Sequence, residues 1–437
     1  MKKRDCISLF SSAGIGELGV KANNIEIIVS NELLHDRHEV YAANYPETYS
    51  ITGDINEKKN EIINQYRKLS GRENPFLIYA TPPCQGMSSN GAGKLLNEII
   101  KGNRAEEDPR NKLIIPTIEI INQLKPEWVI LENVPNMRNT LISDDKGNVV
   151  NIMKYIEENI DDDYIGRFQV MDCSDYGIST SRRRLITIYT RNKLGKDYIL
   201  RCNYFFSEKD KTTPINKSTL FDAIGHLPEL HSKENLNSRK DFHEYHYVPI
   251  LKSEKYFWIE NTPEGQTAFS NQCVNKKCKG FINKTHGSSN VQGKHQSNSD
   301  TPLYCENCGE ILPRPNIIDK VTKKRRLIKG FQTSYKRMHY DKPGPTLTQN
   351  YQFEASDNKI HPTQNRVLSI YEALVIQSIN EYDYKFKFKG HEESVPKSLI
   401  NQIIGESVPP KLIDLIVKKI IDITENKIII PQTQLEL

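Results

Sequence analysis

Short apolar runs separated by amphipathic stretches fill the first two hundred residues of this chain, and then the pattern fades. Residues 6–10, 25–31, a run whose end is 51–55, 76–80 and 126–131 are largely apolar and bounded by turn residues. Such runs predict buried strands of a parallel sheet. Residues 110–124 and 152–160 have helical spacing. Residues 167–172 and 185–189 read as an antiparallel pair. Strands alternating with helices predict an α/β fold with an open sheet. From about 191 to 344, Lys, Asn, Ser and aromatic residues dominate and the alternation is lost. This predicts a separate domain, irregular or β, inserted between 1–190 and a closing segment, 345–437. In that segment Pro343-Gly344-Pro345 turns the chain back, and helices are expected around 369–379 and over 411–421. The last ten residues read as a frayed tail.

Chemistry-bearing residues gather at the predicted strand ends, where open α/β sheets bind their ligands. The first run meets Phe10-Ser11-Ser12-Ala13-Gly14-Ile15-Gly16, a glycine turn that lets backbone approach a nucleotide. The second ends at Glu32, placed to accept both hydroxyls of a ribose. The third ends at Asp54-Ile55, an acid for an adenine amino group and an apolar side chain for the ring. Each acid alone reads more readily as a solvated loop residue; the three strand-end features in order turn that round and describe an adenosine-type cofactor across the sheet edge. The fourth run stops at Pro82-Pro83 and delivers Cys84. Cysteine is the most nucleophilic side chain near neutral pH, but a buried structural thiol is the alternative. A long polar segment follows, to about Arg110. The fifth run ends in Glu132-Asn133-Val134, where burial raises a carboxyl pKa towards neutrality; a cap or turn acid is the other reading. Arg182 and Arg184 share one face of an alternating strand, suited to a phosphate or a base carbonyl, or to a solvated edge.

The chain has 437 residues, 26% of them charged and 37% hydrophobic. Mean hydropathy is −0.61, and no apolar run approaches the ~18 residues of a membrane helix. The basic start, Met1-Lys2-Lys3-Arg4, runs into the first strand rather than a signal-peptide core, so a cytoplasmic protein is expected. Net charge of +5 permits a nucleic-acid partner without requiring one. Of eight cysteines, four fall in pairs, Cys273/Cys278 and Cys305/Cys308. In a cytosolic protein two such knuckles point to a structural Zn²⁺ with four thiolates and no open position. His286 and His295, between the pairs, are substitute ligands or solvated. Beyond them, Lys320, Lys323, Lys324, Arg325, Arg326 and Lys329 form a basic cluster, either solvated or a phosphate-contacting surface near Phe331, Tyr335 and Tyr340.

Assembled in order, these residues resemble the DNA (cytosine-5) methyltransferases over nearly the whole chain. Leu9-Phe10-Ser11-Ser12-Ala13-Gly14, Glu32, Asp54-Ile55, Pro82-Pro83-Cys84-Gln85, Glu132-Asn133-Val134, Arg182/Arg184, Pro345-Thr346-Leu347-Thr348 with Arg366 to Glu372, and Gly405-Glu406-Ser407-Val408-Pro409 are similar to successive family motifs. The resemblance implies a class I S-adenosylmethionine-dependent methyltransferase fold, a Rossmann-like mixed sheet, with residues 191–344 as the target recognition domain. It implies a cofactor site of Phe10, Ser11, Ala13, Gly14, Ile15, Glu32, Asp54, Ile55, Pro82, Ser407 and Val408. Cys84 would add to C6 of a flipped-out cytosine in double-stranded DNA, Glu132 would engage N3, and Arg182 and Arg184 would hold O2 and a neighbouring phosphate. The segment after Gln85 would close on the base. Departures stand at Ser12 and Ile15 for glycines, Thr180 for glutamine, Gln377-Ser378-Ile379, and Glu406 for asparagine. A zinc-knuckle recognition domain is not general in the family.

Rival readings fit less well. RNA cytosine-5 methylation in this family goes with a Cys-Phe-Thr signature that is absent. The separate RNA class takes its cysteine from a Thr-Cys pair where this chain has Glu132-Asn133. Amino-group methyltransferases carry an aromatic residue where Cys84 stands, and a silent DNA-binding homologue would not need Cys84, Glu132 and both arginines. A compact chain without regulatory modules looks like a monomeric bacterial modification enzyme, associated with the nucleoid through DNA and paired functionally with a restriction endonuclease.

Overall fold

A computed structural model describes residues 4–83, 108–144, 146–207, 210–211, 217–285, 288–291, 294–297, 300–328, 333–391 and 393–428. Its centre is a seven-stranded sheet. The strands are β1 (Arg4–Leu9), β2 (Ile25–Glu32), β3 (Tyr49–Thr52), β4 (Leu77–Ala80) and β5 (Trp128–Asn133), followed after a small hairpin of β6 (Leu141–Ser143) and β7 (Val149–Asn151) by β8 (Ile165–Asp172) and β9 (Arg183–Thr190). The order is β3-β2-β1-β4-β5-β9-β8. The five strands β1 to β5 pair in parallel; β9 runs antiparallel to both β5 and β8. The expected strands and antiparallel pair are therefore present, with ends shifted by one to three residues.

Topology decides where a ligand can sit. The chain moves from β1 outward to β2 and β3, then returns to the other side of β1 for β4 and β5. The switch point lies between β1 and β4, and open sheets bind ligands in the crevice there. Register keeps the strand ends level: Leu9 pairs with Ala80, and Ala80 with Leu131. Because β9 is antiparallel, its first residues, Arg183 and Arg184, come to that same edge.

Both sheet faces are covered, as all-apolar strands require. On one face Ile62, Ile63 and Tyr66 of the helix Ile55–Ser70 and Ile114, Ile118 and Ile121 of the helix Ile114–Leu124 pack against Ile7, Leu9, Ile78 and Val129. On the other, Leu412, Ile413, Ile416, Val417 and Ile420 of the helix Pro410–Thr424 pack with Cys6, Ile27, Tyr79 and Ile130. The late helix thus completes the layer begun by the short helix Glu17–Ala22.

The segment from 344 returns to the sheet by pairing with the chain just before β9. Ser181 N donates to Gly344 O at 2.8 Å and Gly344 N to Ser179 O at 2.8 Å. A further apolar cluster joins Leu220 and Ile224 to Leu368, Ile370, Ile376, Ile400 and Ile404. Its polar centre is a buried bidentate pair, Arg366 to Glu372, with both contacts at 2.7 Å. Glu372 also closes a capping box with Ser369 at the start of the helix Ile370–Ile376. Gly405, near the end of the helix Lys397–Glu406, lies against the backbone of Thr348 and Gln349, where an added Cβ would fall 2.3 Å from Gln349 N. Only glycine lets the two segments approach so closely. The sequence pattern did not single out the helices Lys397–Glu406 or Lys193–Arg201; the second begins where alternation was expected to stop.

Candidate active site

The turn after β1 is built from strained backbone. Phe10, Ser12 and Gly14 have φ of 59°, 47° and 84°, the left-handed region that side chains disfavour. Bonds from several elements hold it there. Ser11 N donates to Asn31 O at 3.0 Å, and Thr81 Oγ1 to Phe10 O at 2.9 Å. Tyr384 Oη donates to Ala13 O at 2.7 Å. Ser12 N donates to Glu32 Oε2 at 2.8 Å and Leu34 N to Glu32 Oε1 at 2.9 Å. Both carboxylate oxygens are thus oriented by backbone, and each keeps acceptor capacity for a hydroxyl. Burial pushes the Glu32 pKa up, against these bonds and Arg37.

The expected cofactor residues differ in burial. Ala13, Ile15, Ile55 and Val408 are at most 5% exposed and belong to apolar clusters. These side chains pack within the apolar clusters at the strand ends. Asp54 is the N-cap of the helix Ile55–Ser70, accepting from Asn56 N at 2.8 Å. The apolar side chains open at this edge are Leu33 and Leu34, 59% and 47% exposed, directly after Glu32. They were legible as exposed apolar residues only once β2 was known to end at Glu32.

At the β5 end, Glu132 is buried, and Arg184 Nε meets its Oε1 at 2.7 Å. Burial raises the Glu132 pKa; Arg184, then Arg182, oppose it. Arg182 is redirected. Its guanidinium is buried and donates to Leu347 O at 2.9 Å, Gly405 O at 3.1 Å and Glu406 O at 2.9 Å. It clamps two distant segments to the start of β9, and the expected pair of base-holding arginines divides into one that reaches Glu132 and one that holds the scaffold. Nearby, Lys359 is buried with Nζ on Thr346 O at 2.8 Å, and burial pushes its pKa down to about 8.

Asn133, given no role by sequence, ties the two strand ends together. Its Nδ2 donates to Pro82 O at 3.0 Å, and its Oδ1 accepts from Val134 N at 2.8 Å. The last residues described before Cys84 are therefore anchored to the residue after Glu132. Cys84 and the segment 84–107 lie outside the described residues.

The four paired cysteines converge. All four Sγ atoms lie within 4.8 Å of one another. Cys273–Cys308 and Cys278–Cys305 separations are 3.7 and 3.8 Å, and a tetrahedron with metal–sulfur bonds of about 2.3 Å has edges of about 3.8 Å. Asn307 Nδ2 donates to Cys278 Sγ at 3.3 Å and Asn283 Nδ2 to Cys305 Sγ at 3.5 Å. Burial pushes the Cys305 thiol up, but bonds from the N–H groups of Cys308 and Asn307 and from Asn283 outweigh it and bring it down to about 6. This donor set fits a thiolate-bound metal. Beneath it Arg314, fully buried, donates to the carbonyls of Asn271, Pro302 and Lys284. His286 lies outside the described residues and the His295 side chain is not described; Lys329 and Phe331 also lie outside. The remaining basic residues sit on a hairpin, Asn316–Ile318 with Arg325–Leu327, whose tip Lys320, Val321, Lys323 and Lys324 is exposed.

A mixed sheet with a strained glycine turn, a buried carboxylate at the end of the second strand and a buried acid at the end of the fifth is the architecture of the S-adenosylmethionine-dependent methyltransferases of the Rossmann-like class. The family described as C-5 cytosine-specific DNA methylase matches residues 4–422, and the chain belongs to it. Its activity is therefore transfer of a methyl group from S-adenosylmethionine to C5 of cytosine in DNA. The chain is similar to the type II methyltransferase M1.HgaI of Avibacterium volantium, with 28% identity over 95% of this chain and 97% of that protein. It is 25% identical to M.DdeI of Desulfomicrobium norvegicum, over 96% and 89% of the two chains. A crystal structure of a provisionally assigned DNA modification methyltransferase from a prophage (E. coli) shares the fold, with a TM-score of 0.54 at 20% identity over 97% of this chain and 99% of that one. No helix among the described residues is long and apolar enough to cross a membrane.

Proposed function

We propose that this enzyme methylates cytosine within one specific double-stranded sequence through a covalent Cys84–C6 adduct, and that it protects host DNA as the partner of a restriction endonuclease. The observation that carries the site assignment is the Glu132–Arg184 pair at the strand end beside Pro82. Cytosine C5 is a poor nucleophile. Addition of the Cys84 thiolate to C6 moves electron density to C5. Glu132, sharing a proton with N3, neutralises the charge that develops, where stabilisation accelerates the reaction. Arg184 holds both Glu132 and the base carbonyl. The bound cofactor supplies an electrophilic methyl on its sulfonium, held by Glu32, the backbone of 10–15 and the Leu33–Leu34 edge. C5 would take that methyl as the sulfonium C–S bond breaks, leaving S-adenosylhomocysteine; passage of the C5 proton to water and departure of Cys84 as thiolate would then restore the aromatic ring. A base inside a duplex is out of reach, so the target is flipped out at a few kcal/mol of unstacking.

Residues 191–344 are proposed as the target recognition domain, with Zn²⁺ on Cys273, Cys278, Cys305 and Cys308, and Lys320, Lys323 and Lys324 on DNA phosphates. Four protein ligands make the metal structural. Purified protein is expected to carry one equivalent of zinc, and Cys305→Ala to lose the metal and sequence-specific DNA binding while keeping cofactor affinity. Less than about half an equivalent, measured by elemental analysis, would count against the centre. For the activity itself, bisulfite sequencing of DNA from cells expressing the enzyme should show one fully methylated motif. Unmodified DNA would overturn the reading.

A further inference from the structure

We propose that Arg37 and Glu406 form a charge-paired strap across the mouth of the cofactor pocket, which slows departure of the bound nucleoside. The inference rests on the placement of that pocket between Glu32 and Ser407. Arg37 Nη1 meets Glu406 Oε2 at 2.7 Å, with side chains 13% and 33% exposed. That shielding lifts the pair above an ordinary surface ion pair.

Position explains why the contact matters. Arg37 lies in the first turn of the helix His35–Asn44, five residues after Glu32. Glu406 is the last residue of the helix Lys397–Glu406 and directly precedes Ser407 and Val408. The pair therefore joins the two walls of the proposed pocket by side chains alone. The Glu406 wall is not free to drift, because Arg182 holds the carbonyls of Gly405 and Glu406. The Arg37 wall is fixed by β2, through the bonds of Glu32 to Ser12 N and Leu34 N.

Nothing local favours a glutamate at position 406. A helix C-terminus carries partial negative charge and disfavours a carboxylate. Glu406 also acts on Glu32 as a like charge, and Arg37 counters it. A cation placed between two carboxylates satisfies both, which accounts for an acid where the family pattern has asparagine. Arg37 is thus a positioning residue: it opposes the upward push of burial and Glu406 on the Glu32 pKa and holds Glu406 against the opening. Release of the product nucleoside requires the pair to part.

The test measures S-adenosylhomocysteine binding and release by the full-length enzyme, using calorimetry and stopped-flow, together with steady-state kinetics. Arg37→Gln and Glu406→Gln should each raise the dissociation constant by about tenfold, mainly through a faster off-rate, as loss of a shielded pair predicts. KM for S-adenosylmethionine should rise while KM for DNA stays unchanged, a split that general loosening of the fold would not give. The double reversal, Arg37→Glu with Glu406→Arg, should recover binding to within about threefold of wild type, whereas each reversal alone is worse than its glutamine variant. Wild-type affinity in the single variants, or failure of the double reversal to recover in a folded protein, overturns the strap. Glu32→Ala separates this from the pocket itself: undiminished binding there would overturn the pocket, and the strap with it.

Discussion

Cys84→Ser is expected to abolish methyl transfer, by about four orders of magnitude or more, while leaving DNA and cofactor affinities within about twofold of wild type. A thiol is a few per cent ionised at neutral pH without assistance, and its thiolate is intrinsically nucleophilic. A hydroxyl is neither, and the acid at the described strand ends, Glu132, is already paired with Arg184. Serine is smaller than cysteine and uncharged, so the binding surface should persist. Turnover comparable to wild type would exclude the covalent route. Joint loss of turnover and DNA binding would assign Cys84 a structural role. The readouts are labelled-methyl transfer and equilibrium DNA binding on one preparation.

Glu132→Gln should lower kcat by about 10²–10³-fold, with KM for S-adenosylmethionine within about twofold. The amide keeps the shape and can still accept from Arg184, but it has no proton to share with N3. Burial raises the Glu132 pKa in the folded enzyme, against the pull of Arg184 and Arg182. A proton-sharing role is therefore filled at low pH and lost as pH rises through that raised value, while Cys84 requires the opposite. The wild-type rate should pass through a maximum, and the glutamine variant should lose the fall on the alkaline side. An unchanged profile with unchanged kcat would remove Glu132 from the reaction.

What could be read in the chain and what could not differ by range. Strand ends were legible because an apolar run, its stop signal and the residue that follows are local. Glu32, Glu132 and Arg184 each stand where such a run ends or begins. The antiparallel pair was legible for the same reason, from alternation. Partners were not. Arg182 looks like Arg184 in sequence, one turn of alternation away, and only the fold shows that its acceptors are Leu347, Gly405 and Glu406. Ile55 reads as an apolar residue beside an acid; the start of a helix at that point turns it into the core. Glu17 carries no local signal, because a glutamate opening a helix is usually solvated. Here it is buried beside Ser8, and burial raises its pKa to about 7. The cysteine knuckles were visible by spacing, but Arg314, which holds the carbonyls beneath them, carries no local signal. Periodicity reports which way a residue faces, and says nothing of what comes to meet it.

The reach of Arg182 has a consequence for how the enzyme is born. Its three acceptors are made 165, 223 and 224 residues after it, whereas β9 follows it directly. A buried guanidinium without acceptors is strongly unfavourable, so the start of β9 settles only when residues beyond Glu406 have been made. A nascent or truncated chain can carry the glycine turn, Glu32 and Cys84 and still lack a fixed Arg184–Glu132 pair.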